Sequence, residues 1–348
     1  MKIRPAVLAV PVLAALVLTG CQTQNKSGTS AGPGSSSDKV TIMVGGAAKV
    51  IYMPAKLTEQ LGYFKDQGLN VELVDTPAGV TAETALLANQ AQGVVGFYDH
   101  TIDMQAKGKC LQSVVQFANV PGEVEMVSKA QAGTIKSPTD FKGRKLGVTS
   151  PGSSTDFLTQ YLAGNAGVAT ADYTTVKAGA DSTFIAAMNS GGIDAGMTTD
   201  PTVARLTKTG DGQILLDMRT EQGTKAALGG LYPASSLYMA CDYVAAHKDV
   251  VQKLANAFVK TLAYITGNDA ATIAAKMPAD YAGTDKELYV KSINDSKGMF
   301  TANGVMDAKG AENALAVLGK FSPAVKPKKD SIDITKTYTT EFATAAKS

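Results

Sequence analysis

The chain has 348 residues, 45% of them hydrophobic and 18% charged, and Gly plus Pro make up about one residue in seven, which excludes global disorder and a collagen-like repeat. Lys2 and Arg4 are the charges in residues 1–20, so without that segment 31 basic residues face 31 acidic ones, and bulk charge gives no reason to expect nucleic-acid binding or adsorption to a bilayer. Two histidines and three cysteines exclude a multi-histidine metal site, a disulfide scaffold and a four-cysteine zinc site, while the roughly 310 remaining residues exceed one comfortable core and predict two lobes.

Residues 1–21 read MKIRPAVLAVPVLAALVLTGC. Lys2 and Arg4 form a basic start, and Pro5 to Leu18 is an apolar run of 14 residues. That is short of the ~20 a spanning helix needs but suits an export signal. Leu18-Thr19-Gly20-Cys21 resembles the lipobox of bacterial lipoproteins. The resemblance implies that residues 1–20 are removed as a signal peptide and that Cys21 is lipidated; an ordinary signal peptide with an incidental cysteine is the alternative. Residues 22–38 contain no large apolar side chain and cannot offset their ordering entropy, so residues 21–38 read as a lipidated cysteine with a flexible tether reaching about 20–25 Å. The expectation is an exported protein, lipid-anchored to the cell membrane and facing the periplasm or the extracellular side.

From Lys39 strand and helix signals alternate. Strands are predicted at Val40–Val44, Val71–Val74, Val94–Tyr98 and Leu111–Phe117. Between them lie a helix from Pro54 with Leu57 and Leu61 at i, i+4 and Gly62 closing it, and helices over Val80–Asn89 and Ile102–Lys107. The pattern then restarts, with strands at Glu123–Val127, Lys145–Val148, Thr174–Lys177, Ile193–Met197 and Ile214–Leu216. Its helices begin at Ser137–Asp140 and run over Thr155–Gly164, Ser182–Asn189 and Pro201–Leu206. Such alternation implies βαβ crossovers and mostly parallel sheets. Ala78-Gly79, Asn89 and Gly96 recur as Ala178-Gly179, Asn189 and Gly196, an offset repeat that fits two similar α/β lobes. A third section follows: a strand-like Ser236–Cys241, an amphipathic helix over Val250–Ile265, helices to about Leu318, an extended basic stretch at Pro323–Lys329 and a closing helix over Thr335–Ala346. It would cover the first sheet, whose own helices are too few.

In parallel α/β sheets ligands bind at the carboxyl ends of strands, beside helix N-termini. That rule singles out Ala47-Ala48-Lys49, Tyr98-Asp99-His100, residues 149–155 and Thr198-Thr199-Asp200-Pro201. In the third loop Ser150, Gly152, Ser153, Ser154 and Thr155 offer hydroxyls and backbone N–H groups that either cap the next helix or hold an anionic oxygen; the helix dipole adds about 0.3–1 kcal/mol. No phosphate-loop pattern is present. Lys49 reads as a counter-charge for an acidic ligand or as a surface lysine. Asp99 and Asp200 suit a ligand amine, and Asp200 alternatively caps its helix. Tyr52, Phe97, Tyr98 and Tyr232 are candidate pocket walls, although some must be core. Asp99-His100 does not read as a catalytic pair, because adjacent side chains do not converge on one atom. His100 alone, like His247, reads as solvated. No catalytic residue, cofactor or metal site is expected.

GYFKDQGLNVEL (62–73), DFKGRKLGVTSPGSSTDFLTQYL (140–162), GGIDAGMTTDP (191–201) and GGLYPASSLYM (229–239) together resemble the periplasmic substrate-binding proteins of the nitrate, sulfonate, taurine and thiamine-pyrimidine ABC importer group. Residues 89–93, NQAQG, depart from the Gly and Asp often found there in the family. The resemblance implies a two-lobe α/β fold of the periplasmic-binding-protein type II class, with mostly parallel sheets joined by two crossover strands. Residues 39–120 plus 236–348 would form lobe I, and 121–235 lobe II. It implies capture of a small organic anion or zwitterion (a sulfonate, taurine or nitrate) in the interlobe cleft by hinge closure. Lobe I would contribute Ala48, Lys49, Tyr52, Tyr98 and Asp99; lobe II would contribute residues 150–155, Thr199, Asp200 and Tyr232. The implied partners are an ABC permease and its ATPase, with the receptor a monomer. A thiamine-pyrimidine-precursor receptor, an enzyme similar to the thiamine-pyrimidine synthases and a ligand-sensing partner of a membrane kinase are the alternatives. The implied topology also sets the strand near Ser236–Cys241 antiparallel beside Leu111–Phe117. Cys241 and Cys110 would then be close in an oxidising compartment, so a Cys110–Cys241 disulfide is expected, with two buried free thiols as the alternative.

Overall fold

The computed structural model describes residues 39–346, so the signal segment, Cys21 and the tether lie outside the described residues. Two five-stranded mixed sheets organise the chain. The first is built from β1 (Lys39–Val44), β2 (Asn70–Asp75), β3 (Gly93–Phe97), β4 (Leu111–Gln116) and β10 (Ser235–Ala240), in the order β2-β1-β3-β10-β4. The second is built from β5 (Glu123–Ser128), β6 (Lys145–Val148), β7 (Thr174–Lys177), β8 (Ala195–Thr199) and β9 (Gly212–Asp217), in the order β7-β6-β8-β5-β9. Each has four parallel strands and one antiparallel insert. β10 enters the first sheet between β3 and β4 after the second is complete, and β5 takes the matching place between β8 and β9. The chain thus crosses between sheets twice, after β4 and after β9. Central β3 (GVVGF) and β8 (AGMTT) are buried at every residue, as parallel strands covered on both faces must be.

The third section returns to the first sheet. Its helix Lys248–Gly267 places Phe258 between Phe64 and Phe117, with ring centroids at 5.3 and 4.9 Å. Thr261 Oγ1 lies 2.7 Å from Thr58 Oγ1 of the helix Met53–Gln60. Leu254, Phe258 and Leu262 are fully buried, each worth roughly 1.5–3 kcal/mol of burial. Beside β10, Cys241 N donates to Cys110 O at 3.2 Å, and the two cysteines are bonded with Cα atoms 5.5 Å apart.

Several elements differ from the sequence reading. Cys241 opens the helix Cys241–Ala246 and does not end the strand. The helix expected from Ser137 is a single 3-10 turn, Pro138–Phe141, held by a Ser137/Asp140 capping box. β8 sits two residues later than predicted, and the helix Glu221–Leu228 was not anticipated. Pro323–Lys329 is not extended: Lys326–Ser331 is a 3-10 turn, and Lys328 Nζ donates to Ala106 O at 2.6 Å. The predicted closing helix is broken into a 3-10 turn at Ile334–Lys336 and a short helix Glu341–Thr344. Between them the threonine-rich backbone pairs with the edge of β4. Ser113 N donates to Thr337 O at 3.0 Å, and Thr339 N donates to Ser113 O at 2.8 Å. An open strand edge needs such partners, and β-branched residues prefer them to a helix. Among the described residues no helix is long and apolar enough to cross a membrane.

Candidate functional site

The carboxyl ends of β1, β2 and β3 face those of β6, β7 and β8 across a crevice. At its mouth is a cavity of about 330 Å³, lined by Ala48, Lys49 and Asp75 on one side and by Ala180, Asp181 and Pro201 on the other. The two sides touch. Val50 N donates to Asp200 O at 3.0 Å, and Ser154 Oγ donates to Asp99 Oδ1 at 2.8 Å. Ala48 is exposed at the mouth.

Beneath the mouth the crevice is buried and polar. Lys49 Nζ donates to Gly45 O at 3.0 Å and stands 5.7 Å from the centre of the Tyr52 ring. Burial pulls its ammonium down to about 8, against the attraction of Glu123 and Asp75. Asp99 begins the helix Asp99–Ala106 and is fully buried. Its second carboxylate oxygen accepts from Tyr232 OH at 2.8 Å. Burial raises the Asp99 carboxyl, while His100 and the two hydroxyl donors oppose that shift. Tyr52 and Tyr232 are buried beside it.

Glu123 and Glu125, which the sequence reading treated as ordinary strand residues, adjoin this group: Glu123 interacts with Lys49 and Asp99, and Glu125 with Glu123. They lie two residues apart in β5 and so share one face. Glu123 pairs in register with Thr199, at the cleft end of β8. Both side chains are buried. Glu123 Oε2 and both carboxyl oxygens of Glu125 have no hydrogen-bond partner in the protein. Burial pushes both carboxyls well up. For Glu123 the nearby Asp99 and Glu125 push further in that direction, and Lys49 opposes them. The available sequence signal was an alternation, Glu-Val-Glu-Met-Val, with acids at alternate positions of a strand that is buried throughout.

The loop 149–155 is partly committed to the protein itself. Several of its donors are answered from within the protein: Gly152 N, at a positive φ of 82°, donates to Asp156 Oδ2 at 2.8 Å. Thr149 N donates to Thr155 Oγ1 at 3.0 Å, and Ser154 is committed to Asp99. Ser150 is half-buried, and Ser153 Oγ is buried with no partner in the protein. Asp200 is likewise consumed. It accepts from Arg219 Nη1 at 2.9 Å, Ser296 Oγ at 2.8 Å and Ala204 N at 3.1 Å, so its carboxylate serves its helix and an ionic network and does not face a ligand. Tyr98 points away, its hydroxyl 2.5 Å from Thr337 Oγ1 and its ring edge-on to Tyr338. His100 is not solvated: it is 1% exposed, with Nδ1 2.9 Å from Glu83 Oε2. Thr199 is buried at the end of β8. Lys49, Tyr52, Asp99, Ser154 and Tyr232 are therefore brought together, and Tyr98 and Asp200 are not.

A family described as NMT1/THI5 like matches residues 52–271. The 4-amino-5-hydroxymethyl-2-methylpyrimidine phosphate synthase of Aspergillus parasiticus is 28% identical over 252 residues, covering 68% of this chain and 69% of that one. Among solved structures, a protein of Bordetella bronchiseptica RB50 is 35% identical with a TM-score of 0.84, covering 88% of this chain and 96% of that one. The alkanesulfonate-binding protein of Xanthomonas axonopodis pv. citri, bound to MOPS, is 19% identical with a TM-score of 0.70, over 87% of this chain and 98% of that one. The periplasmic nitrate-binding protein of Synechocystis is 13% identical with a TM-score of 0.64, over 85% and 86%. The two binding proteins share the two-lobe periplasmic-binding-protein fold with this chain.

Proposed function

The chain belongs to the NMT1/THI5-like family, and from that premise we propose that it is the solute receptor of an ABC importer. In this reading residues 39–120 with 236–348 form one lobe and 121–235 the other, hinged at the two crossovers. A small organic ligand enters between them, of the anion or zwitterion class that the names of the sulfonate- and nitrate-binding relatives suggest; a thiamine-pyrimidine precursor is the second candidate. Only the closed form contacts the ligand from both sides, so binding shifts the hinge equilibrium toward closure. The closed monomer then docks on a permease powered by its ATPase. The export signal and the lipid on Cys21 belong to the same reading and keep the receptor at the membrane.

The observation that carries it is the crevice itself, where the carboxyl ends of two sheets face each other over buried polar groups. The curated synthase relative raises turnover as a rival. Against it, His100 is buried and paired with Glu83, and so is not placed to move a proton on a cleft ligand.

The test is a thermal-shift screen of the mature protein with sulfonates, taurine, nitrate and aminopyrimidines. A true ligand at a hundred times its Kd should add about 2.7 kcal/mol of stability. Chemical conversion of any of them would replace the receptor reading with the enzymatic one.

A further inference from the structure

We propose that the ligand of this cleft presents a positively charged or amine-bearing group to Glu123 and Glu125, buried acids of β5, the first of them beside Lys49 and Asp99. The inference rests on reading the crevice as a solute site and specifies which chemistry fills it.

Glu123 interacts with Asp99 and Lys49, and Glu125 adjoins Glu123 on the same face of β5. Asp99 is answered by Ser154 and Tyr232 at 2.8 Å each. Glu123 and Glu125 are 2% and 0% exposed, yet Glu123 Oε2 and both Glu125 oxygens have no partner in the protein. Buried carboxyls left without donors are costly, and native interiors rarely keep them. Lys49 is the ammonium facing this group, and it donates to the Gly45 carbonyl. The neighbouring His100 is engaged by Glu83. Two donors of the 149–155 loop are already spent on the protein's own carboxylates, Gly152 N on Asp156 and Ser154 Oγ on Asp99, while Ser153 Oγ is buried without a partner in the protein. A ligand passing Lys49, which lines the cavity, would come beside Glu123, and so to acceptors that need donors and to more acid than base. An ammonium or a protonated nitrogen heterocycle satisfies both needs. A zwitterion fits if its acidic end stays near Lys49 at the mouth and its amine goes down to β5.

Matched probes test this with the intact mature protein by isothermal titration: taurine against ethanesulfonate, which lacks only the amine, and agmatine and putrescine against nitrate. The expected result is saturable binding of at least one amine-bearing probe, with taurine at least ten-fold tighter than ethanesulfonate. Glu123→Gln should weaken the amine-bearing probe at least ten-fold while the circular dichroism spectrum is retained. Ethanesulfonate or nitrate binding as tightly as the amines would overturn the inference and leave the solute-receptor reading standing. Saturation by no probe of either class would count against both. The wild-type comparison decides the matter even if Glu123→Gln fails to fold.

Discussion

Asp99 shows how one side chain ties the cleft together. Its carboxylate accepts from Ser154 across the crevice and from Tyr232 at the return of the chain toward β10. Removing one of two donors from a buried carboxylate costs about 1–3 kcal/mol, so Tyr232→Phe should lower stability by that amount in urea unfolding. A change below a few tenths of a kcal/mol would mean that the bond is not made in solution. His100 supplies a pH dependence. Facing Glu83, and with Asp99 and Asp103 also near, its imidazolium is held up to about 9 against the penalty of burial. A base whose pKa rises on folding stabilises most below its unfolded value, about 6.5, and loses that contribution as pH rises through 9. The stability difference between wild type and His100→Asn should thus be largest below pH 6.5 and shrink steadily toward pH 9; a pH-independent difference would contradict the pairing. Lys49, drawn down to about 8 by burial, titrates inside that window in both proteins and cancels in the comparison.

At the scale of elements, Arg219 fastens the end of β9 to the third section. Its guanidinium reaches Asp200 at 2.9 Å, Asp217 at 2.6 Å and Asp295 at 3.7 Å, and Ser296 Oγ donates to Asp200 at 2.8 Å. Lys208 pairs with Asp285 on the same side. Arg219→Leu strands Asp200 as a buried charge and should cost about 3–5 kcal/mol, measured by denaturant midpoint; a cost near zero would show that the network is loose. Reducing the Cys110–Cys241 bond, which closes a loop with a sequence separation of 131 residues, should cost roughly 2–4 kcal/mol, read from melts with and without reductant. The parallel strands and the helix Lys248–Gly267 were legible because apolar spacing alone marks them. The stretch 335–346 was not, because its conformation is dictated by pairing with Ser113, more than two hundred residues away. The loop 149–155 was located correctly as a strand end, yet two of its donors go to Asp156 and Asp99. A sequence displays donors without displaying which acceptor arrives. Glu123 and Glu125 were hidden for the complementary reason: acids in a strand read as a solvated face until the topology places that strand between β8 and β9.

For the molecule as a whole, the order of strands and helices determined the two-lobe fold, since βαβ crossovers have few other solutions. The family resemblance supplied what spacing could not, namely the double crossover that sends β10 back into the first sheet. The site demanded more, because its chemistry depends on which lobe faces which, and on Glu123, Asp99 and Lys49 meeting from three separate segments. The central claim is that these lobes form a hinge that closes on a solute. Small-angle X-ray scattering of the mature protein, free and with the tightest probe of the matched panel at a hundred times its Kd, tests it most directly. The account predicts a smaller radius of gyration with the probe bound. Superimposable curves at saturation would contradict it.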